Sequence, residues 1–172
     1  MKVYGHLTLV LFVIAALSGL ILGSVNLVTA PIIKENNEKR IASGINAIYP
    51  DTTFQINEAF KEDDILKALY EVKDDSDQVI GYVFSVQAPK AFSGINALIA
   101  LDVDGKVEGI SYITVKESKN IGDKVKLASF YEQFYGKTDT TDVDTISGAT
   151  VSSNAMINSV KAVQAYFNKN LK

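Results

Sequence analysis

Between Val3 and Ile33 the chain has no Asp, Glu, Lys or Arg. The centre of this run, LTLVLFVIAALSGLILGSVNLVTA, is longer than the roughly 20 apolar residues that cross a bilayer as a helix. A stretch of this kind restricts what the N-terminal third can be. In lipid a single segment satisfies its backbone polar groups only as a helix. A cleaved signal peptide is the rival reading. Its one small-residue cleavage point ends at Ala30, and Pro31 directly after it obstructs a peptidase. The segment therefore reads as a retained single-span anchor over residues 1–30. Ala15, Gly19 and Gly23 recur every fourth residue within it and form a smooth stripe on which another membrane helix can pack.

Beyond Pro31 the chain turns polar, and residues 31–50 read as a stalk or amphipathic segment. Ile32, Ile33, Ile41, Ile45 and Ile48 have partly helical spacing. Lys2 precedes the apolar run, while Lys34, Lys39 and Arg40 follow it. Counted this way, the positive-inside rule puts the following domain in the cytoplasm.

Residues 51–172 have the size of one ordinary domain. ALYEVKD alternates, and VIGYVFSVQ follows it after the polar turn DSDQ. Two further period-two runs, INALIALD and KVEGISYITV, flank Asp104-Gly105, a strong hairpin signal. DKVKLASFYEQFYGK changes to a helical period, with Val125, Phe130 and Phe134 on one face and Gly136 as the stop. A last helix is expected to start near Ser152 or Ser153, which offer caps. Its apolar stripe is Ala155, Met156, Ser159, Val160, Val163 and Phe167. The expected class is α+β: one N-terminal transmembrane helix, then an antiparallel sheet packed with helices.

Composition removes several chemistries. The chain has no cysteine, which excludes disulfides, thiolate catalysis and cysteine-ligated iron–sulfur clusters. Its single histidine, His6, lies beside the apolar run, so neither a serine-type triad nor a zinc site of Cys and His can be assembled. No metal ligand set is expected. A net charge of -3 argues against a nucleic-acid partner. Redox chemistry in such a chain needs a cofactor that its side chains do not supply.

One stretch raises a sharper question. DTISGATVSSNAM, from Asp144 to Met156, places Thr150 behind a Gly-Ala step and ahead of a helix start. Thr150 could be a nucleophile, a cap or an attachment point. No base is at hand for the first role, and the neighbouring serines cover the second. Gly148 removes a side chain where something can approach the backbone, and Ala149 keeps the neighbour small. A helix N-terminus suits a phosphate.

The match at Asp144, Ser147, Gly148, Ala149 and Thr150 is complete for the Asp-x-x-Ser-Gly-Ala-Thr pattern, and here the domain resembles flavinylated FMN-binding domains. The resemblance implies that a separate flavin transferase joins FMN through its phosphate to Thr150, with no catalytic residue in the chain itself. A Glu-Thr-Pro-Gly-Leu-Gly segment of that family stands here as ESKNIG, keeping Glu117 and Gly122, with Ile121 similar. Ser118, Lys119 and Asn120 depart from it. A Gly-Tyr-Gly-Gly-like loop stands as AFSG, keeping Gly94 and an aromatic at Phe92. Glu117, Gly122, Phe92 and Gly94 are thereby implied around the flavin, with Glu117 either accepting hydrogen bonds from it or ordering its own loop.

Span, stalk and domain together resemble the G-subunit family of Rnf complexes, which are ion-translocating ferredoxin:NAD oxidoreductases. This implies an electron-transport flavoprotein of the cell membrane, with the other Rnf subunits as partners and the flavin domain outside the cytoplasm, against the charge count. The C-subunit family of sodium-translocating NADH:quinone oxidoreductases is the near alternative. From other classes come a non-redox extracytoplasmic binding module and a structural component with a vestigial motif.

Overall fold

The structure, a computed structural model, describes residues 2–172, with side chains from Tyr4 onward. Met1, counted above in the anchor, lies outside the described residues. Compact units divide between residues 39 and 40.

The described residues of the N-terminal unit are all helical, as the first part of α1 (Lys2–Ile48). The helix is long and apolar enough to cross a membrane, and the most apolar window along it is not buried by any other part of the protein. Pro31 lies inside α1 and does not end it. Gly19 and Gly23 have open space where a Cβ would stand.

The second unit, Arg40–Lys172, opens with the last turns of α1 and continues into a sheet. Five strands form an antiparallel meander: β1 (Thr53–Ile56), β2 (Leu66–Lys73), β3 (Val79–Gln87), β4 (Ile95–Asp102) and β5 (Val107–Val115), in that spatial order. The β4–β5 hairpin turns through Gly105 at φ 86°, with Gly105 donating its N–H to the Asp102 carbonyl at 3.1 Å. Gly105 also lies under Phe167, whose ring would stand 2.7 Å from an added Cβ.

The sheet is covered on both faces. One face packs on α3 (Thr150–Asn170) and on the segment after β5, burying Phe84, Ile95, Ile99, Leu101, Phe130, Phe134, Met156, Val160 and Phe167 together. The other face packs on the end of α1, where Ile45 and Tyr49 meet Val72, Val83, Leu98 and Ala100. This explains why β4 is apolar at nearly every position instead of alternating: Ile95, Ala97, Ile99 and Leu101 point one way, Leu98 and Ala100 the other. The Tyr49 hydroxyl donates to the Leu101 carbonyl at 3.1 Å. Burial, with Glu108 nearby, holds Tyr49 far above the usual phenol range.

Two local expectations change. The helical stretch after β5 is three short pieces: a 3-10 helix (Gly122–Lys126), α2 (Ala128–Tyr131) and a second 3-10 helix (Glu132–Phe134). On one straight helix the five-residue step from Val125 to Phe130 would turn them about 140° apart. The extended backbone at Leu127 (ψ 136°) breaks the helix and lets both enter the core. The last helix begins at Thr150, ahead of Ser152 and Ser153, and neither serine caps it.

Candidate functional site

The chain segments singled out by their motifs converge at one end of the sheet, beside the N-terminus of α3. Two tight turns shape this region. Ala149 donates its N–H to the Ile146 carbonyl at 2.9 Å, and Gly148, third in that turn, has φ 78°. A left-handed third residue makes a type II turn, which favours glycine there. Glycine is thus favoured at 148 by its backbone, and the position beside it is open. Across the site, Ile121 donates to the Ser118 carbonyl at 3.1 Å, with Asn120 third in the turn at φ 60°. Lys119-Asn120 thus adopts the conformation that a Pro-Gly pair takes in the same turn, since asparagine tolerates the left-handed region.

Between these turns lies a cavity of about 390 Å³, lined by Phe92, Glu117, Ser118, Ile121, Gly122 and the run Gly148–Ser152. Its size falls within the roughly 300–1,000 Å³ of small-molecule sites. Phe92, Ile121 and Val151 contribute exposed apolar surface to it, Phe92 being 81% exposed. Tyr82, Phe84 and Tyr112 are elsewhere: Phe84 is in the core, Tyr82 packs edge-on against Phe167, and the Tyr112 hydroxyl donates to the Val125 carbonyl at 2.7 Å.

The hydroxyls of the motif have distinct environments. Ser153 donates to the Ala149 carbonyl at 3.0 Å and accepts the Ile146 N–H at 3.1 Å, stapling the turn to the helix. Ser152 is 3% exposed and donates to Glu117 Oε2 at 2.6 Å. With both serines engaged and Ala149 at the cap position, no acceptor among the described residues takes the N–H groups of Thr150, Val151 and Ser152. These residues line the cavity, so its edge carries the positive end of the α3 dipole. Thr150 is exposed there.

Glu117 is 9% exposed. Its Oε1 accepts the N–H groups of Ser93 (2.8 Å) and Gly94 (3.0 Å). Burial pushes this carboxyl up, but the hydrogen bonds from Ser152, Ser93 and Gly94 outweigh it, and the net shift is below the usual carboxylate range. Gly122 packs directly on this pair: an added Cβ would stand 2.6 Å from Ser152 Oγ and 2.8 Å from Glu117 Cβ.

Residues 92–165 match the family model described as FMN-binding domain. This stretch of the chain is similar to that family. Curated relatives extend the likeness. A protein of Photorhabdus laumondii, named as the G subunit of an ion-translocating oxidoreductase complex, is 32% identical over an alignment covering 46% of each chain. The G subunit of the same complex in Vibrio atlanticus is 24% identical, with 94% of this chain and 89% of the relative covered. The G subunit of the Na(+)-translocating ferredoxin:NAD(+) oxidoreductase complex of Acetobacterium woodii is 25% identical, covering 97% and 93%. Against the Photorhabdus and Shewanella loihica relatives, the matched part spans about half of their length, 46% and 47%.

Within the matched stretch, Phe92, Glu117, Gly122, Gly148, Ala149 and Thr150 border this cavity. Gly94 does not line it, but its φ of 115° and its N–H to Glu117 shape the loop behind Phe92. Ser147 is exposed and off the lining; Asp144 is also exposed, its backbone N–H held by Gln133 Oε1 at 2.9 Å. Val151 and Ser152 are lining residues that the motif alone did not single out. Among the described residues no cluster of His, Cys, Asp or Glu could hold a metal ion.

Proposed function

We propose that this chain is a membrane-anchored flavoprotein subunit that relays electrons through FMN joined by its phosphate to Thr150, within an ion-translocating ferredoxin:NAD oxidoreductase complex. The observation that carries the attachment is the contrast among neighbouring hydroxyls. Ser152 and Ser153 are buried and hydrogen-bonded. Ser147 lies off the cavity. Of the motif's hydroxyls, Thr150 alone is both exposed and on the cavity wall.

The residues present fit the group. The three free N–H groups at the start of α3 suit the phosphodiester's single negative charge, a contribution of about 0.3–1 kcal/mol. Phe92, Ile121 and Val151 offer apolar surface to a flat aromatic ring. Glu117, the carboxylate on the cavity wall, is already engaged by Ser93, Gly94 and Ser152 and is not committed to Thr150, so the linkage is assigned to a separate flavin transferase. Bound flavin accepts and donates one or two electrons, which lets it bridge carriers of either kind. The chain's own part is to hold the phosphate end, wall in the ring, and anchor both through its apolar helix in the cell membrane. The relatives' names support a place among the other subunits of such a complex. The extracytoplasmic side for the flavin domain rests on the resemblance to the Rnf G-subunit family alone.

The test is Thr150→Val, expressed with the transferase. The isosteric change removes only the hydroxyl from an exposed position, so the fold is expected to persist within about 0.5 kcal/mol. Flavin fluorescence on a denaturing gel is expected in the wild type and absent in the variant. Persistent fluorescence in Thr150→Val refutes the assignment.

A further inference from the structure

Glu117 sits where three segments distant in sequence meet. Its carboxylate takes donors from the loop before β4, Ser93 and Gly94, and from the first turn of α3, Ser152. Three of the roughly four acceptor positions of a carboxylate are thus filled by the protein itself. The Gly94 carbonyl in turn accepts the Lys116 N–H at 2.9 Å, so the loop is tied at the same place on both sides of its backbone. Gly122 closes the arrangement from below, since no larger residue fits against Ser152 and Glu117.

The consequence falls on Phe92, directly ahead of the two held amides. Its ring lines the cavity but is 81% exposed, so side-chain packing does little to place it. The backbone at Ser93 and Gly94 places it, and Glu117 holds that backbone.

We propose that Glu117 is a positioning residue, a tie between the Phe92 loop and the first turn of α3, which keeps Phe92 as a fixed wall for the flavin ring. This rests on the reading of Thr150 above. A phosphodiester holds FMN at one end and leaves the ring to swing on its ribityl chain. Through Ser152, the turn that carries the phosphate end and the wall that meets the ring move as one piece. Attachment and ring order are therefore separable: Thr150 governs the first, Glu117 the second.

The test uses the full chain with its covalent flavin in detergent, comparing wild type, Glu117→Ala, Glu117→Gln and Phe92→Ala. Covalent content is read by fluorescence on a denaturing gel, and ring order by visible circular dichroism and flavin fluorescence anisotropy. Glu117→Ala is expected to keep its covalent flavin, lose the visible dichroism and show reduced anisotropy. Phe92→Ala is expected to do the same, and the double variant to do no more than either alone. Glu117→Gln is expected to stay near wild type, because the amide oxygen still accepts both N–H groups and its NH2 donates to Ser152 Oγ. Wild-type dichroism in Glu117→Ala, loss in Glu117→Gln equal to that in Glu117→Ala, or additive losses in the double variant would each overturn the proposal. A second measurement is independent of flavin. In the Thr150→Val background, hydrogen exchange at Ser93 and Gly94 is expected to be about tenfold faster with Glu117→Ala. Unchanged exchange there also overturns it. If the wild type itself carries no covalent flavin, the reading of Thr150 fails, and the exchange experiment still decides the tie.

Discussion

Gly122→Ala puts the packing around the site under direct load. The new methyl would stand 2.6 Å from Ser152 Oγ, 2.8 Å from Glu117 Cβ and 2.9 Å from Glu117 Oε2. Real Cβ atoms do not approach so closely, so something must shift. None of the three contacts is the loose end of a long side chain: Glu117 is held by three hydrogen bonds, and Ser152 is in the first turn of α3. Overpacking of this kind costs about 1–3 kcal/mol. The same displacement stretches the Ser152–Glu117 hydrogen bond, so that loss is not a separate addition. The backbone of Gly122 is not in the left-handed region, so alanine returns about 0.4–1 kcal/mol by restricting the unfolded chain. The expected net destabilisation is about 1–2 kcal/mol, a fall of roughly 3–8 °C in Tm for a unit of this size. Thermal unfolding followed by far-ultraviolet circular dichroism measures it. Covalent flavin is expected to remain, because Thr150 is not displaced from solvent, while visible dichroism of the flavin falls. A Tm within about 1 °C of wild type together with unchanged flavin dichroism would refute the packing argument.

Asp144 is exposed and off the cavity, so Asp144→Ala is expected to leave the fold intact and lower flavin incorporation during co-expression with the transferase, by removing a recognition contact; full loading would make Asp144 an ordinary turn residue. Glu117 also predicts a pH dependence. Its native pKa is below the ordinary glutamate value of 4.5, so the unfolded chain binds the proton more readily, and the stabilisation is complete above that ordinary value. It is lost as pH falls through the lower native value. In urea titrations the stability difference between wild type and Glu117→Gln is expected to be flat above about pH 5.5 and to shrink below pH 4; a difference independent of pH down to the acid transition would contradict this.

The elements legible in the sequence are those whose own local apolar pattern marks them. VIGYVFSVQ is β3 from end to end, and the expected stripe of the last helix, from Ala155 to Phe167, is buried at every position named. Elements held by something other than their own pattern are not legible. β1 is a short edge strand with three of its four residues exposed, so no alternation marks it. α1 continues through Pro31 although proline is an ordinary stop signal. Its last turns are kept by the sheet face that Ile45 and Tyr49 cover, a contact no local window contains.

The site divides along the same line. A local motif points to Thr150, because backbone chemistry near it is local: a left-handed Gly148, a small Ala149, a helix start. The serines beside Thr150 are not the caps that their position suggests, for the opposite reason. Ser152 serves Glu117, 35 positions earlier in the chain, and nothing near Ser152 signals that partner. The same distinction resolves the departures at Lys119 and Asn120. A family pattern written with Pro-Gly looks broken there if residue identity is what the site requires. The structure has the turn intact, with Asn120 at φ 60° in the place of the glycine. What the cavity needs from this segment is a left-handed third residue that brings Glu117 and Gly122 to opposite ends of one tight turn, and asparagine meets that need at a small conformational cost.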